Sequence, residues 1–156
     1  MKRVNEILND PMYKSIIGRI ESMEENRLLC KHSLNHSLDV ARIAYLLRLE
    51  EDLPFDKELI YTAALLHDIG RAKESAADHA IASAEEAIYF LKKHNYSPEE
   101  SHIIASAIRS HRECGTRNSF EDLIYRADKL SRLCSACPSR EECYWPVEQK
   151  NKDLLL

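Results

Sequence analysis

Glycine is scarce in this chain, three residues in 156, and proline contributes only five. That shortage argues against a turn-rich β-sandwich or barrel, whose many tight reversals draw on both residues. No run of roughly 18 uncharged apolar residues occurs, so no segment reads as a membrane span. The opening Met1-Lys2-Arg3-Val4-Asn5-Glu6 leads only into Ile7-Leu8-Asn9-Asp10, too short an apolar block for a secretory signal. An excess of positive charge is missing as well: 22 Lys+Arg against 26 Asp+Glu leave a formal net charge of -4. Bulk electrostatics thus exclude a protein that coats DNA, while leaving room for a local basic pocket. Five cysteines, an odd number, fit a disulfide framework poorly. The expectation is a cytoplasmic chain with reduced thiols.

What is present is an ordinary globular mixture, 44% hydrophobic and 31% charged, at a length suited to one domain. Such a chain buries roughly 68–70% of its unfolded surface, enough for a real core. Helix starts recur along it and no convincing strand does. Asp10-Pro11 reads as an N-cap followed by proline at the first helical position. A helix from there carries Ile16, Ile17, Ile20 and Met23 to about residue 29. A second covers roughly 34–49, and a third is capped by Asp56 after Pro54. Gly70 looks like the left-handed residue that ends this third helix. A polar loop over 71–77 precedes a fourth helix capped by Asp78 and reaching about residue 94. Ser97-Pro98 opens a fifth, ending near His111. Ser119 with Asp122 starts a sixth to about residue 133, and Ser139 with Glu142 repeats the signal for a short final turn. The reading is all-α: one N-terminal helix over 1–29, a core over 30–133, and a cysteine-containing extension over 134–156.

The third helix finishes Leu65-Leu66-His67-Asp68-Ile69-Gly70-Arg71. Burying a charged Asp68 at the end of so apolar a run is costly unless a cation compensates it. A divalent metal is the natural compensator, and imidazole with carboxylate suits several transition ions. His36, in His36-Ser37-Leu38-Asp39-Val40-Ala41, and Asp128, in Tyr125-Arg126-Ala127-Asp128-Lys129-Leu130, are further polar residues in apolar helical contexts. The order His, His-Asp, Asp, each in such a context, resembles the HD-domain superfamily of metal-dependent phosphohydrolases over residues 30–132. The resemblance implies a single HD-domain/PDEase-like bundle of about six helices. It further implies that His36, His67, Asp68 and Asp128 bind one metal ion. His79 and His111 resemble the two extra histidines of members that hold two ions, with Asp68 bridging, although a histidine at a helix end is common enough by itself.

The activity implied by the resemblance is hydrolysis of a phosphate ester or anhydride by a metal-bound hydroxide. The substrate class is a small phosphorylated molecule, a nucleotide foremost, and the cofactor is one or two divalent ions of Fe, Mn, Zn or Ni. Asp68 would bridge and orient. Arg71 and Lys129, ahead of Arg112 and Arg132, would stabilise charge on the phosphoryl oxygens. The chain lacks the Gly-Tyr-Pro signature of cyclic di-GMP phosphodiesterases and the Glu-Asp pair of alarmone hydrolases. Its six-ligand pattern is similar to symmetrical dinucleoside tetraphosphate hydrolases and to many other small members. Two further readings stay open: a di-iron, oxygen-dependent oxidoreductase on the same ligands, and a non-catalytic module that binds nucleotide and metal. His32, His94 and His102 have no matching context and read as surface or structural histidines.

Cys134-Ser135-Ala136-Cys137-Pro138 followed by Cys143 has the spacing of a thiolate-held metal site. Cys114 is the natural fourth ligand and Cys30 its competitor. Four thiolates would suit either Zn or an iron–sulfur cluster; reduced free thiols near a chain end are the alternative. The tail ending Leu154-Leu155-Leu156 reads either as a loose end or as an apolar contact for a partner, a second copy in a homo-oligomer being one such partner.

Overall fold

Five of the six helix starts marked by an Asp or Ser are N-caps in the computed structural model, which describes residues 1–73 and 78–152. Asp10 accepts from the Met12 N–H, Asp56 from Glu58 and Leu59, Asp78 from Ala80, and Ser119 from Asp122. Ser97 and Glu100 form a reciprocal capping box. Satisfying amides that a helix leaves orphaned at its first turn fixes where each helix begins. The elements are α1 (Lys2–Asn9), α2 (Pro11–Met23), α3 (Leu34–Glu50), α4 (Lys57–Leu66), α5 (His79–Lys93), α6 (Pro98–Ser110) and α7 (Phe120–Leu130). Short 3-10 helices cover Ile69–Ala72, Cys134–Ala136 and Val147–Gln149. Among the described residues there is no strand.

The core is organised around α4, which packs against α1, α3, α5, α6 and α7. Its Ile60, Ala63, Ala64, Leu65 and Leu66 are 0–1% exposed. Alanines at 63 and 64 let neighbouring helices approach closely, while the flanking leucines and Ile60 fill the gaps. The result is a helix whose C-terminal end, and hence the His67-Asp68 pair, lies inside the molecule.

Where the sequence implies one N-terminal helix, there are two. α1 starts at Met1 without a side-chain cap, so no local signal marks it. The pair is pinned by charge: Arg3 donates to Glu58 on α4 and to Glu100 on α6, and its guanidinium lies 3.9 Å from the Tyr96 ring centre. Asp10, between the two helices, pairs with Lys93 at 2.8 Å and His94 at 3.2 Å at the end of α5.

Three further expectations are corrected. α2 ends at Met23 and α7 at Leu130, short of residues 29 and 133. Gly70 is not left-handed; it lies inside the 3-10 helix over Ile69–Ala72, and no described glycine has positive φ. Its lack of a side chain serves a close approach instead, because a Cβ there would collide with backbone atoms of Ser83, His79 and Ala82 on α5. Residues 138–142 form turns rather than a helical turn capped by Ser139. Most of the expected polar loop, residues 74–77, and the terminal Leu154-Leu155-Leu156 lie outside the described residues.

Candidate metal centre

His67 sits just past the end of α4, where backbone carbonyls lose their helical partners. Two side chains take them over: Tyr13 Oη donates to the Leu65 carbonyl at 3.1 Å, and His67 Nδ1 to that of Ala64 at 2.6 Å. A carbonyl only accepts, so Nδ1 carries a proton, and in the neutral ring that a metal requires Nε2 keeps its lone pair. His67 Nε2 is buried without a hydrogen-bond partner, though Asp68 Oδ2 lies 3.1 Å away at an angle unsuited to such a bond. His111, at the end of α6, repeats the device: its Nδ1 meets the Ile108 carbonyl at 2.6 Å, which turns Nε2 toward Asp68.

Two groups of potential ligand atoms form in this way, His36, His67 and Asp128 in one and Asp68, His79 and His111 in the other. Within each, the atoms lie within 4.8 Å of one another. Asp68 stands between them, with one oxygen facing each. Its Oδ2 lies 3.7 Å from His36 Nε2 and 3.1 Å from His67 Nε2, and its Oδ1 lies 3.4 Å from His79 Nε2 and 3.6 Å from His111 Nε2. α3 supplies His36, α5 supplies His79 and α7 supplies Asp128. An orphaned buried imidazole nitrogen among imidazoles and carboxylates is a donor set that fits one or two divalent transition ions.

Cations already balance the buried carboxylates. Arg71 Nε donates to Asp68 Oδ1 at 2.8 Å, and its Nη2 lies 3.0 Å from His79 Nε2. Arg132 Nη2 donates to Asp128 Oδ1 at 2.9 Å and reaches His36 Nε2 at 3.3 Å. Lys129 holds Asp128 Oδ2 at 2.7 Å. Burial alone would raise both acids, but His67, His111 and Arg71 keep Asp68, and His36, Arg132 and His67 keep Asp128, well below the ordinary range. Burial and Arg132 push His36 down to about 4, and burial and Arg71 do the same for His79. His67 is likewise buried, but the two carboxylates outweigh that and raise it.

Of the other cationic candidates, Arg112 is exposed and 3.6 Å from Asp78. Cys30, Cys134, Cys137 and Cys143 share the lining of the cleft that leads to Asp68, whereas Cys114 does not belong to it and faces Asp122 at 4.0 Å. Among the described residues, neither group of clustered ligand atoms contains a cysteine. His94 is a structural histidine on Asp10, and His102 is exposed. His32 is different: it is buried, lines the same cleft, and places Nε2 3.9 Å from Asp68 Oδ2. It lies on the loop between α2 and α3, where no periodic pattern could flag it.

The family model named HD domain matches residues 33–133, and the chain belongs to the HD-domain family. A protein of Clostridium beijerinckii named only as uncharacterized is 49% identical over 153 residues, 97% of each chain. A ribonuclease Y of Chlorobium phaeobacteroides is 37% identical over 101 residues, 64% of this chain and 17% of that protein. A tRNA (cytidine(56)-2'-O)-methyltransferase of Picrophilus torridus is 44% identical over 62 residues, 40% of this chain and 16% of that one. The chain thus spans about a sixth of the length of these last two relatives. No solved structure gives a significant match.

Proposed function

We propose that the chain is a metal-dependent phosphohydrolase acting on a small phosphorylated molecule, a nucleotide foremost. The observation that carries this reading is the charge of the cleft. The whole chain is net negative at -4, yet nine Lys and Arg residues line the cleft against three Asp, and two of those are Asp68 and Asp128. A basic recess in an acidic molecule concentrates multiply charged anions. Its volume, about 1140 Å³, is ample for a nucleotide. Tyr125, Tyr144 and Trp145 at its wall offer ring faces for a base. The relationship to a protein named ribonuclease Y also favours a substrate built from phosphate esters.

In this reading His36, His67, Asp68 and Asp128 hold one ion, and His79 and His111 share Asp68 with a second. Ions there supply a Lewis acid for a phosphoryl oxygen and lower the pKa of a water toward neutrality. Asp68 fixes the spacing of the two sides through its two oxygens. Arg71 and Lys129, each within 2.8 Å of a ligand carboxylate, turn to the non-bridging phosphoryl oxygens and stabilise charge that grows in the transition state.

The test is phosphate release from nucleoside mono-, di- and triphosphates and dinucleoside polyphosphates, with elemental analysis per chain. Asp68→Ala is expected to abolish turnover and metal content with helical content retained. Turnover by that variant overturns the assignment. We also propose a thiolate-held Zn or iron–sulfur group at Cys134, Cys137 and Cys143 with Cys114 or Cys30 as fourth ligand, supported by the Cys-x2-Cys spacing followed by a third cysteine. Metal or sulfide lost only on changing those cysteines is the expected result.

A further inference from the structure

Glu24 closes a bidentate grip on His32: one carboxylate oxygen accepts the His32 backbone N–H at 2.7 Å, the other meets ring Nδ1 at 2.7 Å. Both residues are buried, His32 only 4% exposed. A carboxylate that engages Nδ1 fixes that nitrogen as the donor, so Nε2 keeps its lone pair. Among the described residues its polar neighbour is Asp68 Oδ2, at 3.9 Å, beyond hydrogen-bond reach. The ring lies edge-on to His36, with centroids 5.6 Å apart. A buried imidazole with an oriented, unpartnered nitrogen facing a ligand carboxylate is the arrangement in which outer carboxylates orient metal-bound histidines.

We infer that His32 is a further metal ligand on the Oδ2 side of Asp68, with Glu24 as its positioning residue. The inference rests on the metal-dependent reading above and adds a seventh protein ligand to it. Its consequence is a loop ligand: the α2–α3 connection becomes part of the metal sphere, so the two N-terminal helices are tied to metal loading.

A purely structural latch between Glu24 and His32 makes a different prediction, and metal binding separates the two. Calorimetric titration of the full chain with Mn²⁺ or Co²⁺ is expected to show affinity about 10- to 100-fold weaker in His32→Ala, with a smaller loss in Glu24→Gln. The visible spectrum of bound Co²⁺ is expected to change in His32→Ala. Affinity and spectrum equal to those of the unaltered chain overturn the inference, whatever happens to thermal stability. A measurement on the unaltered chain guards against a variant that fails to fold. Under Zn²⁺ titration, the His32 Nε2 ¹⁵N resonance is expected to move to the metal-bound range while Nδ1 stays protonated. Movement of His36, His67, His79 and His111 without His32 overturns this inference alone. No binding of any ion by the unaltered chain overturns the metal-dependent reading with it.

Discussion

A methyl group on Gly70 would meet the backbone of α5 at three atoms, among them the His79 carbonyl oxygen at 2.5 Å. The 3-10 helix after Asp68 and the start of α5 are packed backbone to backbone, and Ser83 Oγ accepts the Gly70 N–H at 2.8 Å. Gly70→Ala is therefore expected to cost about 1–3 kcal/mol, read as a lower urea midpoint, because backbone cannot give way as a side-chain end can. It should also shift His79 away from Asp68 and weaken metal binding on that side. Sequence singled out Gly70 for the wrong reason, since close approach and positive φ demand the same residue and only three-dimensional neighbours tell them apart. The ligand candidates on helices were legible for the opposite reason: a polar residue in a periodic apolar context stands out. His32 lacks such a context, and its partner Glu24 gives no pattern either, so the grip between them emerges only with the path of the loop.

At the level of elements, the capped starts were legible, and the ends of α3, α5 and α6 fall within a residue of expectation, whereas α2 and α7 end early and α1 was not foreseen. A cap is a short-range contact between a side chain and amides two or three residues on, which sequence shows directly. α1 carries no side-chain cap and is held by tertiary contacts instead, with Val4 and Ile7 buried in the core and Arg3 joining it to α4 and α6. Arg3→Ala is expected to lower stability by about 1–2 kcal/mol in thermal or denaturant unfolding, since it loses two carboxylates and the Tyr96 ring together. Asp10 adds a pH signature. Burial would raise its carboxyl, but Lys93, the Met12 amide and His94 bring it below its ordinary 3.8. A depressed folded pKa means that the contribution is complete above 3.8 and fades as pH falls through the folded value. The stability gap between the unaltered chain and Asp10→Asn, followed by chemical denaturation, is expected to be flat near neutrality and to close only below that point.

Taken whole, the molecule separates its charges: acidic on balance, basic in the cleft. Raising salt is expected to increase KM for a phosphorylated substrate with little change in kcat, because screening weakens long-range attraction more than contacts at the reacting atoms. Ion binding to the folded chain adds to stability by mass action, about 2.7 kcal/mol at a hundredfold excess over Kd. A chelator is thus expected to lower the melting temperature.

Chelation should not unfold the chain, however, and the reason lies in Arg71 and Arg132. Their guanidinium groups already donate to Asp68 and Asp128, so the buried carboxylates have internal counter-ions of their own. The chelator-treated chain is expected to keep its helical circular dichroism, and a divalent ion binding there would compete with Arg71 for Asp68 and with Arg132 for Asp128.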